Sequence, residues 1–339
     1  MVDTDVLIVG AGPVGLFAIF QCGMLNLRTH VVDSLPSVGG QCMALYPEKP
    51  IFDIPAFPRI DGASLINNLL AQAQPFGPVF HLGQVVQTVT PCSEGGFKIA
   101  TSTGNKITAR SILIAGGAGA YVPNRPPLEN IRLYEGQGIH YSVTTKDDFR
   151  GQHVIVVGGG DSALDWAITL SEIATTVTLV HRRPGFTAAP ATVTKLKELV
   201  KANRMTLKAP GHVTAVHGDK NMTHVTISGP SGAEQLSASR LLFFLGSVAS
   251  LGPIANWGLE LEGARICVDP VTQQSSSSGI FAIGDVAVYP NKLKLILCGF
   301  SEAAMAAHAI HKFINPNTVL VHRHSTSIGV PTSSLVPSN

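Results

Sequence analysis

Two segments of this chain carry small residues at the spacing that suits a nucleotide pyrophosphate. They read Gly10-x-Gly12-x-x-Gly15 and Gly158-x-Gly160-x-x-Ala163. Small residues let the backbone come close to the phosphates, and the N-terminus of the helix that follows stabilises their negative charge. Each segment also follows an apolar run typical of a buried strand and precedes an apolar run typical of a helix. The pattern therefore predicts two dinucleotide sites.

The residues that would contact the ribose differ between the two copies. In the first copy the next strand ends at Asp33, whose carboxylate suits a ribose with a free 2′-hydroxyl. In the second copy the matching strand ends at His181, followed by Arg182 and Arg183. Two guanidinium groups suit a ribose that carries a 2′-phosphate. We therefore expect a dinucleotide without that phosphate in the first site and NADPH in the second.

Length and composition restrict the function classes. A chain of 339 residues is long enough for two domains. With 24 basic and 22 acidic side chains the net charge is only +2, which does not indicate a nucleic-acid partner. No apolar run reaches the ~18 residues of a membrane span, and the acidic start leads directly into a strand. We expect a cytoplasmic protein with no membrane partner.

The cysteines indicate neither a disulfide framework nor a metal site. There are five, an odd number, and no two are spaced as C-x-x-C. This arrangement also excludes a dithiol redox centre. We therefore expect reduced thiols and no bound metal.

The order of the predicted elements repeats in the two halves. In each half the first βαβ unit is followed by strand-like segments and then by a buried strand that ends in glycine, near residues 116 and 246. The strand and helix after residue 278 are too short to bury themselves, so they should complete the first sheet. The predicted fold is α/β, with two Rossmann-like three-layer (ββα) domains. One occupies 1–117 and 248–339, and the other, 118–247, is inserted in it.

A group of motifs resembles the flavoprotein family with two dinucleotide domains that includes thioredoxin reductase. These motifs are Asp33 with Gly39-Gly40-Gln41, the second glycine segment with His181-Arg182-Arg183, and Ile283-Gly284-Asp285. The resemblance implies that the first dinucleotide is FAD. Thioredoxin reductases carry a C-x-x-C pair shortly before the second glycine segment, where this chain has Tyr141 and Thr144. Thioredoxin reductase activity is therefore excluded.

The run 40–50 and the tail segment His324-Ser325-Thr326-Ser327 are similar to the thioredoxin-reductase-like type of ferredoxin–NADP reductase. One departure is Gly116-Gly117, where related flavoproteins often have a Thr-Gly pair. The resemblance implies stacking on the two faces of the flavin ring by Tyr46 and His324, and further contacts to FAD elsewhere. Those further contacts are Gln41 and Thr326 to the ring, Asp285 to the ribityl or phosphate side, the Val86 backbone to adenine, and Tyr121 beside the cofactor.

The function that the resemblance implies is electron transfer between NADPH and ferredoxin through FAD, as hydride transfer to the flavin and then two one-electron steps. The chemistry belongs to the flavin, so no protein acid, base or nucleophile is assigned. The expected partners are an acidic ferredoxin and a second copy in a homodimer. Lys292 and Lys294 would form a rim that attracts the ferredoxin, and the domains would swivel about the glycine-rich crossings.

Two alternatives use the same pockets. One is an NADPH-dependent flavin reductase of small acceptors such as quinones or ferric chelates. The other is a flavin-binding redox sensor without productive turnover. The acceptor preference and the rate of NADPH consumption distinguish the three.

Overall fold

The computed structural model describes residues 3–93, 95–117, 119–318 and 329, and it describes only the backbone at 120–123 and 247–249. Within these residues the helices are α1 Pro13–Met24, α2 Gly40–Leu45, α3 Gly62–Ala73, α4 Ile131–Tyr134, α5 Asp161–Leu170, α6 Pro190–Lys201 and α7 Ile296–Ile314. The strands are β1 Thr4–Val9, β2 Thr29–Val32, β3 Pro50–Ile51, β4 Ile60–Asp61, β5 Val79–His81, β6 Val86–Pro91, β7 Phe97–Thr101, β8 Lys106–Ile114, β9 Ala120–Pro123, β10 Ile139–His140, β11 His153–Val157, β12 Thr176–Val180, β13 Thr206–Lys208, β14 His212–Gly218, β15 Met222–Gly229, β16 Gly232–Ser237, β17 Arg240–Phe243, β18 Ser247–Ser250, β19 Leu261–Glu262, β20 Arg265–Cys267, β21 Ile280–Ala282 and β22 Ala287–Val288.

The chain forms two compact units. Unit 1 contains the chain up to Tyr121 and from Ala249 onward, and unit 2 contains Val122–Val248. The two crossings between them are β9 and β18, which pair with each other. An added Cβ at Gly119, which has φ +82°, would lie 2.1 Å from the carbonyl oxygen of Ser250, so these backbones approach closely because residue 119 is a glycine.

The main sheet of unit 1 has the strand order β5-β2-β1-β8-β7-β6, with β21 also paired to β8. Strands β5, β2, β1, β8 and β21 are parallel, whereas β7 pairs antiparallel with β8 and β6 pairs antiparallel with β7. Ile280 pairs with Ile112 and Ala282 with Ile114, so the late strand returns to the first sheet as predicted. The parallel strands are apolar because both faces of the sheet are covered.

Unit 1 has three layers. On one face of the sheet, Ile8 packs with Leu16 and Ile19 of α1 and with Ala303 of α7. On the other face, Leu7 and Ile112 pack with residues of β6, β7, β20 and β22. Because neighbouring residues of one strand face opposite sides, the apolar run at 6–8 supplies both layers.

Unit 2 repeats this arrangement on a smaller scale. Its parallel sheet has the order β10-β17-β11-β12-β13. Val154 and Val156 face the helix side, where they pack with Leu164 of α5 and Leu196 of α6. Ile155 faces the opposite side, which is covered by the antiparallel sheet β14-β15-β16. Both units therefore have the predicted ββα layering.

Two helix boundaries differ slightly from the sequence prediction. The helix predicted over roughly 62–74 is α3, and it begins at Gly62 because the Asp61 carboxylate accepts a hydrogen bond from the Ser64 amide. The last helix was expected from about residue 299, but α7 begins at Ile296. Residues 296–298 at its start are apolar, and an apolar run of this length is also typical of a strand.

We predict that protonation of His30 weakens unit 1 at mildly acidic pH. His30 on β2 lies beside His81 on β5, with Nδ1 and Nε2 3.1 Å apart. Burial first, and then the neighbouring His81, lower the pKa of His30 below its ordinary value of 6.5. The unfolded chain therefore binds this proton more readily, and stability falls as the pH drops below about 6.5. The thermal midpoint of the His30→Asn variant, measured between pH 7.5 and 5, should fall less than that of the wild type.

His212→Asn is the matched control, because His212 is exposed. Its unfolding midpoint should keep the wild-type dependence on pH. An equal slope for wild type and His30→Asn would contradict this assignment.

Candidate functional site

The first glycine segment lies where the carboxyl ends of β1, β2 and β8 meet. Gly10 has φ +113°, and an added Cβ would lie 2.4 Å from the carbonyl oxygen of Ala115. A Cβ on Gly15 would lie 2.0 Å from the carbonyl oxygen of Gly10. Gly12, the N-cap of α1, is different, because the nearest atom to its added Cβ is the Gly40 Cα at 4.0 Å. Gly10 and Gly15 permit close packing of helix on strand, whereas Gly12 leaves space in front of the helix N-terminus.

The Asp33 carboxylate is held rigidly at the end of β2. Its Oδ2 accepts a hydrogen bond of 2.6 Å from the Ala11 amide, and its Oδ1 accepts one of 2.8 Å from the Leu35 amide. Asp33 is 9% exposed. A carboxylate has about four lone-pair positions, so two backbone donors leave capacity for ribose hydroxyl groups.

These residues line a cleft of about 480 Å³ in unit 1, a size within the range of ligand sites. Of the positions expected to contact the first dinucleotide, the cleft is lined by Gly10, Gly12, Asp33, Gln41, Tyr46, Val86 and Asp285. Gly116 and Gly117 also line it. Gly15 is buried beneath the loop. The side chain of Tyr121, together with His324 and Thr326, lies outside the described residues.

Sequence reasoning missed several parts of this cleft. Cys42 on α2 is buried, and its thiol donates to the Tyr46 hydroxyl at 3.7 Å between Sγ and Oη. Burial raises the pKa of the Cys42 thiol, so it stays neutral and helps to hold the ring of Tyr46. A second wall comes from 250–254 and a third from 294–296, both far away in the sequence. The four-residue spacing between Cys42 on α2 and Tyr46, which directly follows this helix, is the one signal in the sequence.

The second glycine segment lies at the start of α5 in unit 2. Gly160 is the N-cap of this helix. Ala163 is fully buried, and its Cβ is 2.7 Å from the position that a Cβ on Gly158 would take. A Cβ on Gly159 would lie 2.1 Å from the imidazole of His181, so this ring packs directly on the loop. Burial first, and then the two adjacent arginines, lower the pKa of His181, which favours the neutral ring.

Arg182 and Arg183 follow β12 at the same edge of the sheet as Gly160. Both side chains are exposed, and neither guanidinium is ion-paired with another residue in the described part of the chain. The loop that carries them is tied to the glycine segment, because the Asp161 carboxylate accepts from the Ala189 amide at 2.8 Å and Thr187 Oγ1 donates to the Gly159 carbonyl at 3.2 Å. The spacing in the sequence gave no indication of these two contacts. Two cationic groups therefore face solvent beside a helix N-terminus.

No redox thiol is present where thioredoxin reductases carry their cysteine pair. The Tyr141 hydroxyl donates to Glu135 Oε1 at 2.7 Å, and Arg125 Nε donates to the same oxygen at 2.9 Å. Burial and the neighbouring carboxylate raise the pKa of Tyr141 to about 12, so the phenol stays protonated. All five cysteines are free thiols.

Comparison with known proteins agrees with this geometry. Residues 4–309 match the family described as pyridine nucleotide-disulphide oxidoreductase. The chain belongs to this family. Among its relatives, proteins named ferredoxin–NADP reductase from Acidiphilium cryptum and Paramagnetospirillum magneticum are 51% and 48% identical, each match covering 97% of this chain and 98% of the relative. The resemblance predicted from the motifs is thus confirmed.

Solved structures show the same fold. Thioredoxin reductase from Lactococcus lactis superposes with a TM-score of 0.77 at 23% identity, covering 93% of this chain and 100% of the other. Thioredoxin reductase from T. acidophilum gives 0.77 at 24% identity, covering 91% and 98%. This oxidoreductase therefore has the two-domain architecture of that group.

One expectation about charge is wrong. Lys292 was expected on an exposed rim, but its side chain is 3% exposed and its ammonium group pairs with Glu302 of α7. Lysine is almost never buried unless it is paired. Its partner Glu302 lies on α7, and no pattern in the sequence indicates that Lys292 contacts this helix. Lys294 is exposed as expected, and it also lines the cleft of this oxidoreductase.

The described residues of this oxidoreductase contain no group of three or more histidine, cysteine or acidic side chains placed to hold a metal ion. Among the helices that are described, none has the length and apolar character needed to cross a membrane.

We predict different effects for substitutions at two glycines of the first segment. Gly12 has ordinary φ and ψ values of −71° and −177°, so Gly12→Val should fold but fill the mouth of the cleft and abolish dinucleotide binding. In Gly15→Val the side chain collides with the Gly10 carbonyl, so the variant should unfold at a much lower temperature. Thermal unfolding without cofactor and dinucleotide content after purification measure the two effects. Equal losses of stability would show that the proposed division of roles is incorrect.

Proposed function

We propose that this chain transfers electrons between NADPH and ferredoxin as a ferredoxin–NADP reductase. The observation that carries the proposal is the cleft of unit 1 together with the second glycine segment and its two exposed arginines in unit 2, and with a phenol, Tyr141, where the resemblance expects a redox thiol. Electrons that enter from a nicotinamide then have no dithiol to receive them. The relatives with this name match nearly the full length of the chain at about half identity.

FAD occupies the cleft of unit 1. The fit is supported by the space in front of Gly12 and by the fixed carboxylate of Asp33, which has acceptor capacity left for a ribose. Tyr46, held by Cys42, presents an aromatic ring to the cleft, and Gln41 presents an amide. The remaining assigned contacts are Asp285 and the backbone of Val86 in the cleft, together with Tyr121, His324 and Thr326, which stay predictions.

NADPH binds in unit 2. Gly158, Gly160 and Ala163 bring the loop and the helix N-terminus to the pyrophosphate, and Arg182 and Arg183 receive the 2′-phosphate. An NADH molecule lacks this dianionic group, so it gains nothing from the two guanidiniums. The chain should therefore prefer NADPH.

FAD supplies the redox chemistry, since a flavin accepts a hydride and releases its electrons one at a time. The residues of this chain bind and orient the cofactor and keep water away from it. The neutral thiol of Cys42 and the raised pKa of Tyr141 fit this division, because neither group is ionised at neutral pH. No protein acid, base or nucleophile is required.

Five further assignments belong to this proposal. The FAD domain is 1–117 with 248–339, and the NADPH domain is 118–247. The domains swivel about the glycine-rich crossings. The protein is cytoplasmic. It forms a homodimer, as the resemblance implies. Ferredoxin is an acidic partner that basic surface residues such as Lys294 attract by long-range steering.

We predict that Arg182→Ala combined with Arg183→Ala removes the preference for NADPH. Each charge-assisted hydrogen bond to a phosphate contributes about 1.5–3 kcal/mol when it is well formed. Because both side chains are exposed, we expect the KM for NADPH to rise about 10- to 100-fold and that for NADH to stay unchanged. Steady-state kinetics with both nucleotides measure this.

Arg204→Ala is the control, since Arg204 is also exposed but precedes β13 and so lies at the opposite end of the parallel strands. Its KM values should equal those of the wild type. A parallel rise in KM for NADPH and NADH in the double variant would contradict the assignment.

We predict that ferredoxin accelerates NADPH-driven reduction of cytochrome c several-fold. The gain should fall as salt is added, because surface charges steer the encounter. The measurement is the rate with and without ferredoxin at low and high ionic strength. Indifference to ferredoxin with rapid reduction of a quinone or ferric chelate would favour the small-acceptor reductase, and no NADPH consumption with any acceptor would favour the redox sensor.

A further inference from the structure

A buried carboxylate joins three segments of unit 1 beside the FAD cleft. Glu302 on α7 is 2% exposed. Its Oε2 accepts a hydrogen bond of 2.7 Å from the Gly284 amide. Its Oε1 accepts one of 2.6 Å from the Tyr289 hydroxyl and is also paired with the ammonium group of Lys292. One side chain therefore connects the helix, the turn at 284–286 and the loop that follows.

This ion pair is not explained by stability. Burying a lysine and a glutamate removes both charges from water, and the attraction between them often only balances that loss. An apolar pair of similar volume would fill the space at no such cost. The carboxylate instead fixes the relative positions of three donors, namely the Gly284 amide, the Tyr289 hydroxyl and the Lys292 ammonium group.

The segments that Glu302 connects form walls of the cleft. Gly284 and Asp285 lie on one side of it, and Lys294, Leu295 and Ile296 follow the loop that carries Lys292. The Gly284 amide belongs to the residue directly before Asp285, and Gly284 has φ +74°, a conformation that favours glycine. A shift of this amide would therefore move the Asp285 carboxylate.

We propose that Glu302, paired with Lys292 and Tyr289, is a positioning residue that holds Asp285 and the 284–296 wall in the conformation that retains FAD. The inference rests on the proposed function, since it takes FAD as the occupant of this cleft. Glu302 itself does not line the cleft, and it acts through the Gly284 amide. The pair has no net charge, so it positions the wall without placing an excess charge beside the cofactor.

The test compares FAD release from purified holoenzymes, followed by the fluorescence of the freed flavin. In Glu302→Gln the amide keeps one oxygen, which cannot serve Gly284, Tyr289 and Lys292 together, and Lys292 loses its counter-charge. We expect FAD to dissociate about tenfold faster and the visible circular dichroism of the bound flavin to change. Excess FAD should restore NADPH turnover to nearly the wild-type rate, which it would not do for a misfolded protein.

A second variant keeps the inference testable if Glu302→Gln folds poorly. In Lys292→Met with Glu302→Gln no buried charge is left unpaired, and the side-chain amide oxygen introduced on α7 can still accept from the Gly284 amide. FAD release should return to within about threefold of the wild type, as expected when the Gly284 contact is restored. Lys312→Met, an exposed lysine on the same helix, is the matched control and should release FAD at the wild-type rate.

The outcomes separate this inference from the proposed function. A wild-type protein that carries no FAD would contradict the proposed function. A yellow, active wild type together with a folded Glu302→Gln variant of unchanged FAD release and circular dichroism would overturn only the positioning role. Loss of FAD that neither excess FAD nor the double variant corrects would show that Glu302 supports the fold alone.

Discussion

The backbone contact between Gly10 and Gly15 is the constraint on which the first site depends. An added Cβ at Gly15 would lie 2.0 Å from the Gly10 carbonyl oxygen, so α1 can approach β1 this closely only without a side chain. That approach sets where the helix N-terminus points and how near Asp33 lies to the glycine loop, whose Ala11 amide donates to its carboxylate at 2.6 Å. In unit 2, Ala163 takes the place of the third glycine, and its Cβ lies 2.7 Å from the position that a Cβ on Gly158 would take, so there the close approach depends on Gly158. The position of the helix N-terminus and its distance from Asp33 thus depend on one packing distance.

Given that shared scaffold, the charge after the second strand distinguishes the two glycine segments. Asp33 is buried and accepts hydrogen bonds from two backbone amides, which fixes the orientation of its carboxylate. Arg182 and Arg183 are exposed, which suits a nucleotide that binds and leaves in every turnover. At equivalent positions of the same fold, a buried side chain therefore suits a cofactor that is retained, and exposed side chains suit a cofactor that exchanges.

The parts of the molecule that follow from local patterns were predictable, and the parts that depend on distant contacts were not. The continuous apolar run of β1 and the glycine spacing are local properties, so the layers and the loop positions could be deduced. The return of β21 to the first sheet followed from the need to bury a short apolar strand. Lys292 was placed on the surface because its partner Glu302 becomes a neighbour only through the course of the loop that precedes α7. No local pattern around Lys292 signals this pairing.

The cleft of unit 1 draws its walls from both ends of the chain. Residues of 9–46 and 84–86 form one part, and residues of 250–254 and 284–296 form another. All of unit 2 lies between these parts in the sequence. The cleft is therefore complete only after the whole of the inserted unit has been synthesised and β21 and α7 have packed onto β8 and α1. The same insertion joins unit 2 to unit 1 through two chain segments, β9 and β18, and not through a single linker.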